Sequence, residues 1–337
     1  MDRTGGCGAI RRLPGVLHLA ESILHTLDPF VFEIRPGIGP RWYGVSYAMG
    51  FLVAWLMVRW MARTGRTALR PAETGDFITW CILGAVLGGR LGHVLLYDRP
   101  LLWTFSSDIP WWGVLEIHRG GMSSHGGIAG VVLAVSIYAR RHGFGALQLV
   151  DTAAFITPPG LMFGRLANWV NGELPGKVLP DAMQASPPWW SVKYPEEAMG
   201  IAPDLVRAAY AHDAQAMAEV AAMVPARYPN NFIQALTDGP LLMAVLVLAA
   251  VVRPLRVGTL TGAFLVGYGA LRNVSESLRE PDPGVFSVGP LTTPILVSIG
   301  MVVTGLAVLA WSRTRGALVQ RQPAPTEPLV PRASRPR

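Results

Sequence analysis

Residues 291–311 read LTTPILVSIGMVVTGLAVLAW, a run of apolar and small side chains without a single charge. About 20 such residues in a helix cross the ~30 Å hydrocarbon core of a bilayer. Further runs of this kind, the shorter of which must extend into flanking polar residues, are 43–61, 77–97, 126–139, 150–170, 236–252 and 259–271. We therefore predict an all-α, polytopic integral membrane protein with about seven transmembrane helices.

The overall composition supports a membrane protein. Of the 337 residues, 51% are hydrophobic and only 15% are charged, which is too apolar for an ordinary soluble domain. The net charge of +7 comes from short basic clusters between apolar runs, without a nucleic-acid-binding motif. Cys7 and Cys81 have neither metal-type nor redox-type spacing. We expect a lipid bilayer around the protein and no nucleic acid partner.

The arginines between the apolar runs predict the orientation, because short cytoplasmic loops collect Lys and Arg. Every second loop is basic, with Arg63, Arg66, Arg70, Arg140, Arg141, Arg253, Arg256, Arg313 and Arg315. We predict an extracytoplasmic segment over 1–40, a transmembrane domain over 41–316 and a cytoplasmic tail over 317–337. The tail is rich in Pro, Arg and Gln and is predicted to be disordered.

The segment 172–235 is the longest stretch between two predicted spans. It contains a polar helical pattern that begins at Pro203 and ends at Ala222, before Pro225. We predict that this segment forms an extracytoplasmic cap. A second outer stretch, 98–125, contains Trp103, Trp111 and Trp112 and has the composition of an interfacial segment.

Ionisable side chains inside or beside a span are costly and are therefore candidates for function. In the second span, Arg90 lies among Gly84, Gly88 and Gly92, whose spacing of four lets two helices approach closely. We favour helix packing over a direct chemical part for these glycines. In the fourth span, the Pro158-Pro159 pair frees backbone groups, so this break should face protein or a polar cavity.

His125 begins the third span and is followed by Gly126 and Gly127. A neutral imidazole can accept a proton, and paired glycines let a ligand or another backbone come close. A histidine that only caps a turn is an equally open alternative.

The fourth span ends in GRLANWVNGELPG, residues 164–176. Arg165 and Asn168 share a helix face, and Asn171 and Glu173 follow where the helix must unwind. A guanidinium oriented by a carboxylate is a common way to hold a phosphate. We favour a binding site here over simple capping of the helix end.

The sixth span continues into Arg272, Glu276 and Arg279, which share one helix face. A solvated, salt-bridged helix end is the alternative to a functional group here. In the predicted topology this group, His125, Arg90 and the 164–176 run all lie on the outer side of the membrane. Their convergence from different spans favours one common site.

These blocks resemble the prolipoprotein diacylglyceryl transferase family of bacteria. The resemblance covers about residues 30–315 and rests on blocks in family order: Trp42-Tyr43-Gly44, Gly88-Gly89-Arg90, His125-Gly126-Gly127, the Gly164–Gly176 run, Gly267-Tyr268-Gly269 and Arg279-Glu280-Pro281-Asp282. It implies a multi-pass enzyme of the bacterial inner membrane. The implied reaction transfers the diacylglyceryl group of phosphatidylglycerol to the lipobox cysteine of a preprolipoprotein and releases glycerol phosphate.

The resemblance also implies roles for the residues above. His125 and Tyr43 are candidates for proton handling or substrate placement, and Arg165 and Arg272 for phosphate binding and catalysis. The phosphatidylglycerol site is predicted to include these two arginines together with Asn168, Asn171, Glu173, Glu276, Arg90, Arg279, Gly126 and Gly127. Neither a metal nor a cofactor is expected, because arginines alone can bind an anionic headgroup and no clustered metal ligands are present in the sequence.

Two departures from the family pattern keep other functions open. Where the family usually has Arg-His-Pro-Ser-Gln, an aromatic residue and Glu, residues 227–234 read RYPNNFIQ, and Thr292-Thr293-Pro294 replaces a Met-Gly-Gln element. A diverged or inactive homologue acting as a lipid-binding scaffold is one alternative. A membrane transporter is another, although it should show repeated halves and charges at mid-membrane.

Overall fold

Helices dominate the structure, a computed structural model that describes residues 22–34, 39–107, 109–116, 121–251, 255–280, 287–288 and 291–319. They are, in chain order, α1 (Trp42–Arg63), α2 (Thr74–Leu96), α3 (Ser124–His142), α4 (Ala146–Ile156), α5 (Pro158–Val170), α6 (Asp181–Gln184), α7 (Pro203–Tyr210), α8 (Ala214–Met223), α9 (Asn230–Leu236), α10 (Leu242–Val251), α11 (Thr259–Glu276) and α12 (Thr293–Arg315). A π-helical turn, Thr237–Leu241, joins α9 to α10.

Four two-residue strands accompany the helices in the described part of the chain. Strand β1 (Ile23–Leu24) pairs in parallel with β2 (Val192–Lys193), and β3 (Ser287–Val288) pairs antiparallel with β4 (Leu291–Thr292). These short pairings do not alter the helical class, so the prediction of an all-α membrane protein is confirmed at this level.

Within the residues that the structure describes, four helices are long and apolar enough to cross a membrane by length and composition. They are α1, α2, the continuous Asn230–Val251 helix and α12, and they coincide with the first, second, fifth and seventh predicted spans. The other three predicted spans coincide with α3, with α4 plus α5, and with α11. These helices are shorter or more polar, so the count of seven spans stays a prediction.

The predicted break in the fourth span is present at Thr157, between α4 and α5. Pro158 and Pro159 occupy the first turn of α5, where a missing backbone N–H disrupts no helical hydrogen bond. The Thr157 hydroxyl donates to the Ala153 carbonyl at 2.7 Å. Beyond the break α5 packs against α1, where a Cβ on Gly50 would lie 3.0 Å from the Gly160 Cα.

The glycines of α2 pack directly against those of α3. A Cβ on Gly92 would lie 2.6 Å from the Gly126 Cα, and a Cβ on Gly84 would lie 2.6 Å from the Gly130 carbonyl oxygen. Gly88 faces both Gly126 and Gly130 in the same way. Only glycine permits backbones this close, so the packing interpretation of this spacing is confirmed.

Asp151 of α4 caps the start of α11 from a buried position. Its carboxylate accepts hydrogen bonds from the Gly258 N–H at 2.7 Å and from the N–H and hydroxyl of Thr261 at 2.7 and 2.6 Å. A helix N-terminus has unpaired N–H groups and a positive dipole end, and an acceptor carboxylate satisfies both. This contact ties α4 to α11.

Asp151→Ala is expected to destabilise the protein by about 2–4 kcal/mol, because it removes three hydrogen bonds and leaves buried donors unpaired. Thermal and denaturant unfolding in detergent measures the loss. The matched control is Asp76→Ala, an exposed carboxylate in the first turn of α2, which should cost less than about 1 kcal/mol. Equal losses in the two variants would contradict the capping role.

The π-helical turn brings a carboxylate to the interior of the fifth predicted span. Pro240 lies within the turn, and Thr237, Asp238 and Gly239 are buried there. A Cβ on Gly239 would lie 2.7 Å from the Met162 Cβ, so the turn packs against α5. Single π turns inside α-helices are frequent at functional sites.

The described residues up to Leu27 and Pro175–Pro229 form a compact unit of their own. Its core contains Val206 and Ala209 of α7 and Val220 of α8. The predicted single helix from Pro203 to Ala222 is wrong. The chain turns at His212, with a φ of 61°, and the Asp213 side chain accepts from the Ala216 N–H at 2.8 Å, which starts a second helix.

The second compact unit contains Asp28–Leu174 and the described residues from Asn230 onward. Residues 172–174 and 230–235 of the predicted cap therefore belong to this unit.

After α12, the Val257 N–H donates to the Ala317 carbonyl at 2.9 Å and the Val319 N–H to the Leu255 carbonyl at 3.1 Å. The remaining tail, 320–337, and residues 1–21 of the predicted N-terminal segment lie outside the described residues.

Candidate active site

Arg165 of α5 forms an ion pair with Asp238 of the π-helical turn. The Arg165 Nε donates to the Asp238 Oδ2 at 2.9 Å, and 11% of the arginine side chain and none of the aspartate side chain is exposed. Removing one partner of such a pair would leave a buried charge uncompensated, which is strongly unfavourable. The pair therefore fixes both the charge and the position of the Arg165 guanidinium.

A second group of charges lies on α11 and the turn after it. The Glu276 carboxylate lies 2.8 Å from Arg272 Nη2 and 3.2 Å from Arg279 Nη1, and all three residues are buried. The alternative of a solvated helix end is therefore wrong. Among the described residues, the Arg272 Nη1 has no hydrogen-bond partner.

These two groups form one electrostatic cluster together with His125. Arg272 interacts with Arg165 and Asp238, and His125 interacts with Arg272, Arg165 and Glu276. Tyr268, buried on α11, interacts with both arginines. Four separate chain segments thus bring their polar groups to one place, as the sequence predicted for His125, Arg165, Arg272 and Glu276.

His125 lies half-buried in the first turn of α3. The capping residue of this helix is Ser123, whose hydroxyl accepts from the Gly126 N–H at 3.2 Å. Ser123 rather than His125 therefore caps this helix, and the role of His125 in the reaction stays a prediction.

A hydrogen-bonded group at the end of α5 contains four further predicted residues. The Asn168 Nδ2 donates to the Tyr43 hydroxyl oxygen at 3.2 Å and to the Glu173 carboxylate at 2.9 Å. The Asn171 Nδ2 donates to the other carboxylate oxygen at 3.1 Å. Gly172 has a φ of 68°, which glycine adopts readily and which turns Glu173 back toward Asn168.

This amide group lies beside the charged cluster along α5, because Arg165 and Asn168 are three residues apart on one face. Its far side is held by Asn231 of α9, whose Nδ2 donates to the Glu173 carbonyl at 2.9 Å. The Glu173 carboxylate thus accepts from two side-chain amides, and the binding site expected here stays a prediction.

Three predicted site residues lie at the α2–α3 contact and its adjoining loop. Arg90 donates to the carbonyls of Gly113, Val114 and Gly121 at 2.6, 2.7 and 3.0 Å, so it anchors that loop. Gly126 packs against α2, and a Cβ on Gly127 would lie 3.5 Å from the Ala85 carbonyl oxygen. Their assignment to lipid binding stays a prediction.

A match to a family model over most of the chain identifies the protein family. The sequence model described as prolipoprotein diacylglyceryl transferase matches residues 29–311. The chain belongs to this family. The resemblance drawn from the sequence motifs is thereby confirmed.

Individual members of the prolipoprotein diacylglyceryl transferase family cover most of the chain. A phosphatidylglycerol–prolipoprotein diacylglyceryl transferase of Rhodospirillum centenum is 38% identical over 288 residues, covering 84% of this chain and 91% of the relative. Relatives with the same name from Paramagnetospirillum magneticum and Bdellovibrio bacteriovorus are 36% and 32% identical. Each covers 86% of this chain, and the chain covers 96% and 94% of their lengths. The predicted class of enzyme, a transferase, is confirmed.

Sequence reasoning missed two residues of this transferase site, Asp238 and Tyr268. The sequence could have indicated Asp238, because a carboxylate inside the apolar run 236–252 is costly unless it is paired. Tyr268 stood out only as part of a family block. Among the described residues, no cluster of three or more His, Cys, Asp or Glu side chains has the arrangement of a metal site.

Proposed function

We propose that this transferase moves the diacylglyceryl group of phosphatidylglycerol to the lipobox cysteine thiol of a preprolipoprotein, at the outer face of the bacterial inner membrane. The observation that carries the proposal is that Arg165 and Arg272, which come from different helices and are each paired with a carboxylate, lie within electrostatic range of each other in one largely buried cluster. Two guanidinium groups in a water-poor site are well suited to bind a lipid phosphate.

The proposed reaction replaces the C–O bond to phosphate with a C–S bond and transfers one proton. The cysteine loses its proton, since the thiolate is the nucleophile, and sulfur attacks the glyceryl carbon that bears the phosphate. The C–O bond to phosphate breaks and its electron pair goes to the phosphate oxygen. Arg165 and Arg272 stabilise the negative charge of the departing group.

We assign proton acceptance to His125 and substrate placement to the group around Glu173. His125 is half-buried beside both arginines, and a neutral imidazole can take the thiol proton. Glu173 holds Asn168 and Asn171, and Asn168 in turn donates to the Tyr43 hydroxyl. These polar side chains lie next to Arg165, which precedes Asn168 by three residues on α5. Arg279 supports the site through its pair with Glu276.

The proposed topology has seven spans, with α3, α4 plus α5, and α11 as the three that are shorter or more polar. The site residues lie at the starts of α1 and α3 and at the ends of α5 and α11. Alternating spans place these four helix ends on one side, and the basic loops place that side outside. The N-terminus is then extracytoplasmic, the C-terminus cytoplasmic and 172–235 an outer cap.

Exposed aromatic side chains support a membrane surface next to this outer end. Trp103, Phe105 and Trp111, in the loop after α2, are 79%, 70% and 59% exposed. Aromatic residues of this kind are enriched where a protein meets the lipid headgroups. The loop fits an interfacial position.

The deciding experiment supplies the purified, full-length protein with phosphatidylglycerol and a peptide that contains a lipobox cysteine. We expect a thioether-linked diacylglyceryl peptide and an equal amount of glycerol phosphate, measured by mass spectrometry. A peptide with serine in place of the cysteine is the control. A lipid-binding scaffold would bind phosphatidylglycerol without product, and a transporter would move lipid without modifying the peptide; either result overturns the proposal.

A further inference from the structure

An apolar groove lies between the start of α4 and the C-terminal half of α12. Its volume is about 320 Å³, which is within the range of small-molecule sites in proteins. Its lining residues are Leu147, Thr304, Ala307, Val308 and Trp311. The four residues of α12 have the spacing of a single helix face, so they form a continuous stripe along this helix. We call this feature the α4–α12 groove.

A glycine with a left-handed backbone lies at the base of the α4–α12 groove. Gly258, the residue before α11, is buried and has a φ of 92°, which glycine adopts readily. A Cβ at this position would lie 3.2 Å from the Leu147 Cδ2 and 3.4 Å from both the Trp311 Cζ3 and the Val308 Cγ1. Three segments that are distant in the sequence therefore shape the groove.

The α4–α12 groove is far from the candidate active site. Gly258 directly precedes α11, and Arg272 follows it by 14 residues, which corresponds to about 21 Å along a helix. In the proposed topology the groove lies at the cytoplasmic end of the helices and the active site at the outer end. The inference drawn from the groove therefore uses the proposed topology but does not depend on the proposed reaction.

The surface that carries the groove has the properties of a surface in contact with lipid. Helix α12 is long and apolar enough to cross a membrane, and Thr304 and Ala307 are exposed on it. Trp311, which is 42% exposed, lies toward the end of the helix. Tryptophan is enriched where hydrocarbon meets the lipid headgroups. An acyl chain can therefore lie along the stripe before Trp311, with its headgroup beyond this residue.

Two arginines lie where this headgroup would be. Arg315 is exposed and follows Trp311 by four residues, so it continues the stripe of the groove. Arg256 precedes Gly258 by two residues, and its Nη1 donates to the Gly316 carbonyl at 2.7 Å. This bond holds the Arg256 guanidinium beside the end of α12. Guanidinium groups bind phosphate oxygens through directed hydrogen bonds.

The charge around the groove favours an anion. Within the described parts of the three segments, 146–156, 255–258 and 293–319, the one acidic residue is Asp151. Its buried carboxylate accepts three hydrogen bonds from Gly258 and Thr261 at the start of α11, so it is engaged inside the protein. The exposed end of α12 carries Arg313 and Arg315. Basic residues at this depth attract anionic lipid headgroups.

We propose that the α4–α12 groove binds one anionic phospholipid of the cytoplasmic leaflet. An acyl chain lies along the stripe from Thr304 to Trp311, and the phosphate lies beside Arg256 and Arg315. Charge complementarity selects this occupant, because each arginine near an anionic lipid favours it by about a factor of five. A soluble anion would leave the apolar lining unused, and a second copy of the chain would bring like charges together.

Photoactivatable lipids test the proposal directly. The full-length protein is reconstituted in phosphatidylcholine vesicles with a trace of phosphatidylserine or phosphatidylcholine that carries the same diazirine-bearing acyl chain, and the cross-links are mapped by mass spectrometry. We expect phosphatidylserine to label residues 304–311 at least about fivefold more than phosphatidylcholine does. Excess glycerol 1-phosphate should not reduce this labelling. Competition by this probe would indicate a site for free phosphate and overturn the proposal.

Three variants separate a specific site from general attraction to a basic surface. Arg315→Gln should lower the preference for phosphatidylserine about fivefold. Ala307→Leu fills the groove without a change in charge and should lower the preference to that of the surrounding bilayer. The matched control is Arg63→Gln, an exposed arginine in the last turn of α1, which should leave the preference at residues 304–311 unchanged.

Three further results would overturn the proposal. Equal labelling of residues 304–311 by the two lipids would show an ordinary lipid-facing surface. Labelling by neither lipid would show that protein covers the groove. Equal losses in Arg63→Gln and Arg315→Gln, with no loss in Ala307→Leu, would show general electrostatic attraction. The transfer assay tests the proposed function separately, so a failure of one proposal is distinguishable from a failure of the other.

Discussion

Arg165→Ala is expected to lower the rate of diacylglyceryl transfer by roughly 10²- to 10³-fold or more. Loss of one group that stabilises developing charge has this effect in enzymes, and Arg165 is half of the proposed phosphate clamp. The variant also leaves Asp238, fully buried, without its counterion. The initial rate of thioether formation, normalised to folded protein, measures the loss.

The matched control for this prediction is Cys81→Ala. Cys81 is a free, buried thiol of α2 that packs in an apolar core away from the charged cluster, and its removal should change the transfer rate less than about threefold on the same order-of-magnitude basis. The double variant Arg165→Ala/Asp238→Asn should recover folding stability without recovering activity. Equal activity losses in Arg165→Ala and Cys81→Ala would mean that the site is misplaced.

Gly88→Ala is expected to destabilise the protein by about 1–3 kcal/mol, because it overpacks a backbone contact. The added Cβ would overlap the Gly126 carbonyl oxygen and lie 2.6 Å from the Gly130 Cα, so α2 and α3 must separate. His125 directly precedes Gly126, and its displacement should lower the transfer rate as well. Unfolding in detergent and the transfer assay measure the two effects.

Gly75→Ala, on the same helix, is expected to raise the free energy of unfolding rather than to lower it. Gly75 lies in the first turn of α2 and is exposed, and a Cβ added to it would have no atom of the described residues within 4 Å. Alanine should therefore stabilise the helix by up to about 1 kcal/mol through its higher helix propensity. A stabilising effect at Gly88, or a comparable loss at Gly75, would show that the two helices are not in close contact.

The sequence predicted most of the site because its residues recur at helical spacing. Arg165 and Asn168 share a face of α5, and the pairing of Arg272 with Glu276 follows their separation of four residues. Loop charge alone predicted that these groups lie on one side of the membrane. The glycine spacing in α2 likewise predicted its close contact.

The features that sequence reasoning missed depend on contacts between distant segments. Asp238 lies in an apolar run, and its pairing depends on a π turn that no local periodicity reveals. The burial of Glu276 depends on neighbouring helices, so a solvated helix end fitted the sequence equally well. The turn at His212 follows from the Asp213 cap, which competes locally with helix continuation.

The uneven apolarity of the helices has a consequence for biogenesis. Ionisable side chains inside or at the ends of a span are costly to place in lipid, and α11 ends in the buried Arg272–Glu276 pair. Alone, α11 would enter lipid poorly, whereas the chain segments before and after it, ending at Val251 and beginning at Thr293, are long and apolar enough to do so. In the proposed seven-span topology, α11 therefore depends on packing against α12, where a Cβ on Gly262 would lie 2.7 Å from the Leu309 Cγ, and the active site is completed only when both helices are in place.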